Sequence, residues 1–435
     1  MRTVDLRSQN PDNARQYRGS VPRADFDVNE ALEIVRPICH AVRDQGDEAV
    51  LSYGEKFDKI RPEALRVPVA AITAALENLD PAIRAALTES IRRLRQTCEA
   101  ELETSVTTTV APGATVERRM VPMERVGLYV PGGLAPLLST VVMNVVPAQT
   151  AGVTQIALTS PPQAEFGGLP HPSILAACAL LGVDEVYAAG GAQALAMLAY
   201  GTESCASVDL ITGPGNIFVA AAKRHLQGLV SIDAEAGPTE IAIIADASAN
   251  PDFVAADLIS QAEHDPLAAS VLISADETVF AAVAESLARH VPEARHNERI
   301  STSLSGRQSA FVLVRDLEQA IDVANAYAAE HLEIHTENPS DVAACIVNAG
   351  AVFVGSHTPV SLGDYAAGSN HVLPTAGCAC HSSGLSVRAF TKNMQVVNYS
   401  AEALRDIGPT VVTLAEAENL PSHGAAVSIR LEASR

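Results

Sequence analysis

Apolar residues recur at helical spacing through the first hundred positions. Leu32, Val35, Ile38 and Val42 repeat every three or four residues, as do Ile83, Leu87, Ile91 and Leu94. The spacing predicts helices across 29–104. Arg84, Arg92, Arg93 and Arg95 fall opposite the second apolar group, on a face expected to meet solvent or a partner. Between Thr107 and Val121 the pattern tightens to alternation, which predicts a hairpin turning at Pro112-Gly113. From Val126 short apolar runs alternate with helical periods. They predict strands at 126–130, 155–159, 185–189 and 208–212, with helices at 139–150, 172–182 and 191–200 between them. A second run predicts strands near 240–245, 270–274, 310–315, 331–336 and 351–354, and helices near 251–264, 276–290, 316–329 and 339–349. Such alternation implies parallel sheets covered by helices. Ser400–Asn419 reads as an amphipathic helix and Val427–Leu431 as a short strand.

Charge density divides this pattern. Residues 126–236 carry nine charged side chains in 111 positions, about 8 %, against 19 % for the 435-residue chain. Sheets buried on both faces look like this. The expected fold class is therefore α/β, with two open Rossmann-like parallel-sheet domains, an N-terminal helical segment and a small C-terminal arm. The expected boundaries are 1–25 for an N-terminal arm, 26–125 plus 237–384 for one discontinuous domain, 126–236 for the second, and 385–435 for the C-terminal arm. That arm is too short to hold its own core, so it should pack on something else. No Asp, Glu, Lys or Arg occurs from Val126 to Ala164, but Pro131, Gly132, Gly133, Pro136, Pro147 and Gly152 cut the stretch into pieces too short to span a bilayer.

Composition removes several function classes. Acids number 51 and bases 30, giving a formal net charge of −21. Such a chain should not bind a nucleic-acid backbone or an anionic membrane. Trp is absent and aromatics are 4 %, which argues against a base-stacking platform. The seven cysteines are Cys39, Cys98, Cys178, Cys205, Cys345, Cys378 and Cys380. Their odd number and the polar start of the chain lead us to expect reduced thiols, no signal peptide and a cytoplasmic setting.

Four places could carry chemistry. Gln261 and His264, three apart near a helix end, could offer a metal two electron pairs, or could simply form a polar last turn. In Glu330-His331-Leu-Glu-Ile-His335 the histidines are four apart, but Leu332 stands where a zinc protease needs its general-base Glu. On a strand, His331, Glu333 and His335 would share one face, expected to meet solvent, and Glu330 beside His331 could still move protons. The stretch from Gly355 to Thr375 reads as a long loop holding Asp364, Asn370 and His371. Gly132-Gly133, Gly190-Gly191 and Gly213-Pro-Gly-Asn216 follow predicted strands, where backbone N–H groups can meet a phosphate. The full dinucleotide fingerprint is missing, because Phe218 occupies the place of its third glycine. His423 is unremarkable by position.

The motifs VGLYVPGG, GGAQALAMLAYGTES, ITGPGNIFVAAAKR, AGPTE, LISQAEHDPLA, AAEHLEI, GDYAAGSNHVLPT and SSGLSV occur in that order. On them the chain resembles the histidinol dehydrogenase family over nearly its whole length. The resemblance implies oxidation of L-histidinol to L-histidine through the aldehyde, with two NAD⁺ reduced and one Zn²⁺ per site. It implies Gln261, His264, Asp364 and His423 as zinc ligands, with His423 supplied by the partner subunit of a homodimer. It implies His331 as general base and Glu330 as the group that activates water. Thr239, Gln261, His264, His331, Asp364, His371, Glu418 and His423 would contact substrate. Tyr129, Gln193 and Asn216 would contact NAD in the 126–236 domain. Three positions depart from the family's usual pattern: Thr239 where Ser is common, Glu235 where an apolar residue is common, and Cys380 where Arg is common. The rival readings are a cysteine aldehyde dehydrogenase using Cys205 or Cys345, a zinc hydrolase, an enzyme for another amino or sulfonated alcohol, and a binding module.

Overall fold

The computed structural model describes residues 1–24, 28–132, 136–234 and 237–433, so Gly133 and Glu235 lie outside the described residues. The chain opens with β1 (Arg2–Asp5) and four helices, α1 (Val28–Gln45), α2 (Asp47–Asp58), α3 (Val69–Glu77) and α4 (Pro81–Glu101). The hairpin β2 (Val106–Ala111) and β3 (Ala114–Pro122) follows. The first α/β run is β4 (Arg125–Tyr129), α5 (Leu138–Thr150), β5 (Gln155–Ser160), α6 (Pro172–Leu180), β6 (Val186–Ala188), α7 (Gly191–Tyr200), β7 (Leu210–Thr212), α8 (Ile217–Leu226) and β8 (Ser231–Ile232). The second is β9 (Glu240–Ala245), α9 (Pro251–Ala262), β10 (Ala269–Ser274), α10 (Glu277–His290), α11 (Asn297–Ser305), β11 (Ala310–Leu313), α12 (Leu317–Tyr327), β12 (His331–His335), α13 (Pro339–Ala344), β13 (Ala351–Val354) and α14 (Val360–Tyr365). The chain ends with β14 (Thr391–Tyr399), α15 (Ala401–Ala417) and α16 (Pro421–Ala433). α4, α6 and α9 start alike: Asp80, His171 and Asn250 each precede a proline and accept the N–H two residues on.

Two all-parallel sheets result. The five-stranded sheet has the order β6-β5-β4-β7-β8, and the six-stranded sheet β1-β11-β10-β9-β12-β13. Both faces of the first are covered. One core joins Val35, Val42 and Val50 of α1 and α2 to Leu195, Leu198 and Ala222 of α7 and α8. The other joins Ile72, Leu87, Ile91 and Leu94 of α3 and α4 to Val142, Val146 and Leu175 of α5 and α6. The expected grouping of 26–125 with 237–384 is therefore not how these residues pack. Periodicity identifies an apolar face but not the surface it meets. The N-terminal arm is bound to the other lobe: β1 is an edge strand paired with β11, and Leu6, Tyr17 and Val21 enter that lobe's core.

The third sheet, β14-β3-β2, is antiparallel. β14 runs against β3 from Thr391↔Pro122 to Tyr399↔Ala114, and its mostly exposed side chains give the sequence little alternation to read. The strand expected at Val427–Leu431 is instead part of α16. Val427 and Leu431, four apart, both lie over Gly408 of α15, whereas Ile429 between them is 64 % exposed. The alternation V-S-I-R-L hid an i, i+4 pair. Among the described residues no helix is long and apolar enough to cross a membrane.

In each α/β run the first strand, β4 or β9, is central in its sheet and the chain winds outward from it in two directions. The switch points fall between β4 and β7 and between β9 and β12. Ligands of open α/β sheets ordinarily sit at the carboxyl ends of strands at such a point.

Candidate active site

Glu330 and His331 sit at the amino end of β12, beside Thr239 and Glu240 at the amino end of β9. His331 is paired with Ile241, so its side chain stands next to the Glu240 peptide. Glu330 Oε2 accepts from the Glu240 N–H (3.0 Å) and from Thr239 Oγ1 (2.5 Å). Thr239 Oγ1 in turn accepts from Gln261 Nε2 (2.6 Å). This leaves Gln261 Oε1, a buried acceptor, without a partner among the described residues. The Thr239 hydroxyl is the link between Gln261 and Glu330, and a serine would supply the same atom.

His331 Nδ1 lies 3.2 Å from the Glu240 carbonyl, which can only accept, so the proton sits on Nδ1. Nε2 is then a bare acceptor, buried and unpartnered among the described residues, 3.9 Å from Asp364 Oδ1. Burial pushes the His331 pKa down to about 4 and that of Glu330 up to about 8. Burial also raises the Asp364 carboxyl, against the opposing pull of His331 and His264. In the ligand-free chain the imidazole is neutral at pH 7 and Glu330 is largely protonated.

Gln261 is the penultimate residue of α9, and His264 lies in the turn after it. The helix stops at Ala262, so the two do not share a helical face as the spacing suggested. The exposed His264 ring still lies near enough to act electrostatically on Glu330, His331, Asp364 and His371. Asp364 is on α14, a short helix within the stretch expected to be loop. His371 is committed to the scaffold. Its Nδ1 donates to the Asp364 carbonyl (2.9 Å), and its Nε2 accepts from Thr140 Oγ1 of α5 (3.2 Å). Asn370 Nδ2 donates to the Met143 carbonyl nearby (2.7 Å), so this segment ties the two lobes together. Thr239, Gln261, His264, Glu330, His331, Asp364 and His371 thus form one cluster. Glu418 and His423 are exposed at the turn between α15 and α16, and among the described residues no hydrogen bond or ion pair links them to it.

Tyr129, Gln193 and Asn216 gather at the opposite kind of edge, the carboxyl end of the five-stranded sheet. Tyr129 ends β4 and its hydroxyl accepts from the Gly191 N–H (3.2 Å) at the start of α7. Gln193 is buried, and its Oε1 finds no partner among the described residues. Asn216 caps α8 by accepting from the N–H groups of Phe218 and Val219.

The strand face bearing His331, Glu333 and His335 does not meet solvent as expected. All five residues of β12 are buried. Sequence reasoning missed Asp257, which joins Glu333 and His335 in a second buried cluster whose ligand atoms lie within 4.8 Å of one another. The signal was available, since Asp257 precedes Gln261 by one helical turn. Cys205 is buried and burial raises its thiol pKa, which disfavours the thiolate a cysteine mechanism needs. Arg18 Nη2 reaches Cys380 Sγ (2.7 Å) and the Gly377 carbonyl (3.2 Å), so a cation from the N-terminal arm occupies the neighbourhood of position 380.

Comparison with known proteins agrees with the sequence motifs. A family model described as histidinol dehydrogenase matches residues 21–431. Histidinol dehydrogenase of Cutibacterium acnes is 60 % identical over 438 residues, covering 99 % of each chain. That of Streptomyces avermitilis is 60 % identical over 428 residues, covering 98 % of this chain and 97 % of its own. The crystal structure of histidinol dehydrogenase from Elizabethkingia anophelis superposes with a TM-score of 0.92 at 35 % identity, covering 100 % of this chain and 98 % of that one. The chain belongs to the histidinol dehydrogenase family.

Proposed function

We propose that this oxidoreductase carries out both oxidations, L-histidinol to L-histidinal and L-histidinal to L-histidine, reducing two NAD⁺ at a zinc-containing site shared between two subunits. The observation that carries the proposal is the network Gln261–Thr239–Glu330–Glu240–His331. Among the described residues it leaves two buried side-chain atoms bare: Gln261 Oε1, a ligand for a cation, and His331 Nε2, an acceptor for a proton.

Zinc fits this donor set. Gln261, His264 and Asp364 would hold it with His423 of the partner subunit, a set of N and O ligands without thiolate. When bound, it would supply orientation of the substrate more than activation. NAD fits the low-charge carboxyl edge of the five-stranded sheet at Tyr129, Gln193 and Asn216, where it would accept hydride. In the first oxidation His331 Nε2 takes the hydroxyl proton as hydride leaves the same carbon. Nδ1–H, held by the Glu240 carbonyl, keeps Nε2 aimed while the ring becomes cationic. In the second, Glu330 in its ionised form takes a proton from the water that adds to the aldehyde. The resulting diol gives its second hydride to another NAD⁺ and a hydroxyl proton to His331 Nε2, once that ring has released the first proton to solvent, and becomes the carboxylic acid. Thr239 holds Glu330 Oε2 in place throughout. The exposed Leu414, Leu420 and Ile429 near Glu418 and His423 support a partner surface there.

The test is NADH absorbance with histidinol and NAD⁺, expected to give two equivalents per histidinol. No NADH overturns the proposal, and one equivalent overturns the four-electron reading. Inactive His331 and His423 variants, mixed, should recover part of the activity if sites are shared.

A further inference from the structure

Three elements carry the proposed metal ligands and base: α9 with Gln261, β12 with His331, and α14 with Asp364. A single buried carboxylate links all three, and among the described residues it makes no hydrogen bond or ion pair with Gln261, His331 or Asp364. Glu333 lies two residues after His331 on the same face of β12 and is fully buried. Its Oε1 accepts from the Val360 N–H (2.9 Å), the first peptide of α14 and one turn before Asp364. Its Oε2 accepts from His335 Nε2 (3.2 Å). Asp257, one turn before Gln261 on α9, brings a carboxyl oxygen within 4.8 Å of Glu333, and its Oδ2 is 3.9 Å from His335 Nε2. Burial pushes Asp257 up to about 8 and Glu333 up to about 7.

Two carboxyls and an imidazole are a costly way to fill a core, and apolar side chains would fill it with less penalty. What they supply and apolar packing lacks is direction. Each hydrogen bond fixes one element's position along another. We propose that Glu333 is a positioning residue: it pegs α14 and α9 to β12 so that Asp364 and Gln261 stand at a metal-binding spacing relative to His331. Asp257 and His335 fix the peg. The inference rests on the zinc site proposed above. The trio is not itself read as a metal site, because both Glu333 oxygens are already engaged, one by the Val360 peptide and one by His335 Nε2; His335 Nδ1 has no partner among the described residues.

The test measures zinc held by the purified full-length protein, by competition with a chromophoric chelator, alongside circular dichroism and the melting temperature. Wild type should hold one zinc per chain, and His264→Ala or Asp364→Asn should abolish it. Glu333→Ala should weaken zinc about 10- to 100-fold with the circular dichroism spectrum retained. Glu333→Gln keeps an acceptor for the Val360 N–H and should stay within about threefold of wild type. Val360→Pro deletes that N–H while keeping an apolar side chain of similar size in the core, at a first helical position that tolerates proline and after an extended Pro359. It should weaken zinc as Glu333→Ala does, and it decides the matter if Glu333→Ala fails to fold. Zinc affinity within threefold of wild type in Val360→Pro and Glu333→Ala overturns the inference alone. So does a loss in Glu333→Gln as large as in Glu333→Ala, or a second zinc per chain that Glu333→Ala removes. Wild-type zinc untouched by His264→Ala and Asp364→Asn overturns the proposed metal site and the inference together.

Discussion

Replacing Arg23 should destabilise the six-stranded lobe by about 3–5 kcal/mol at pH 8, the typical cost of removing one partner from a buried ion pair. The guanidinium meets Glu240 through both arms, Nε to Oε2 at 2.9 Å and Nη2 to Oε1 at 3.1 Å. The side chains are 19 % and 3 % exposed. Arg23 also lies 4.0 Å above the Tyr327 ring, donates to the Tyr327 carbonyl, and shares Glu240 with the Tyr327 hydroxyl (3.3 Å). In Arg23→Ala the Glu240 carboxylate keeps that hydroxyl but loses its counter-charge. Burial already raises the Glu240 pKa against the opposing pull of Arg23, and without Arg23 it rises further. A carboxyl whose folded pKa exceeds its unfolded value of about 4.3 binds more protons folded than unfolded between those two values. Stability therefore falls as pH rises through that window. The deficit of Arg23→Ala should be largest at pH 8 and shrink toward pH 5.

Calorimetry of wild type and Arg23→Ala at both pH values is the assay. A drop in melting temperature on the order of 10 °C is expected at pH 8. The double variant Arg23→Met/Glu240→Leu should recover most of it, since it removes both charges. A deficit under about 1 kcal/mol, or one equal at pH 5 and pH 8, would refute the reasoning. The site should register the change as well, because the Glu240 peptide holds both Glu330 and His331.

His331 and His371 are both pushed down to about 4 by burial. The unfolded chain takes up protons near 6.5 that the folded chain refuses, so stability contributed by these groups is lost as pH falls from about 6.5 to 4. Acid titration of the metal-free protein should show this, and His371→Asn should flatten the slope. A slope unchanged in that variant would contradict the assignment. Thiol reagents at pH 8 should label the exposed Cys345 and Cys380 first. They should spare Cys39 and Cys98, whose thiols burial pushes up to about 12, and activity should survive Cys205→Ser. Loss of turnover in Cys205→Ser would revive the cysteine mechanism. Gly213, at φ +117°, would put a Cβ 2.0 Å from the Tyr129 carbonyl oxygen. Gly213→Ala should therefore disrupt the turn before Asn216 and raise KM for NAD⁺ or prevent folding, and unchanged kinetics would argue against a cofactor site there.

Most strands and helices of both parallel sheets were legible because their apolar runs are short, well separated and punctuated by Asn, Asp, Gly and Pro; the short β1 and β8 and the helices α8, α11 and α14 were not anticipated. Three further things were not legible. The helices of 28–101 carry clear apolar faces, but nothing in a single face says that it belongs with the 126–234 lobe. β14 is held by its pairing with β3, and most of its side chains are exposed, so no apolar alternation marks it. Val427, Ile429 and Leu431 fit a period of two as well as a helical one, and only the contact with Gly408 decides between them. In the site, residue types near His264, Asp364 and His331 were suggestive, and the family motifs selected among them. The roles of Thr239 as a bridge and of the Glu240 peptide as a clamp depend on atoms too common for any sequence pattern to single out.

The placement of the two half-sites gives the charge contrast a physical meaning. Carboxyl ends of parallel strands lead into turns such as Gly190-Gly191 and Gly213–Asn216, which present backbone N–H groups and need few charges. The five-stranded lobe offers that edge, with only nine charged side chains in 126–236. The amino ends of β9 and β12 offer something else: a strand residue whose own N–H and carbonyl both face the neighbouring strand. One residue, Glu240, can then hold a carboxyl with its N–H and an imidazole with its carbonyl, and neutralise Arg23 with its side chain. A proton-transfer pair needs both orientations fixed at once, and a strand's amino edge at a switch point supplies them within a single residue. The contacts of Thr140 with His371 and of Met143 with Asn370 bring that amino edge against the other sheet's carboxyl edge. Hydride donor and acceptor would thus be held by different sheets, and the register between the lobes, set largely by residues 370–371, should govern the distance between them.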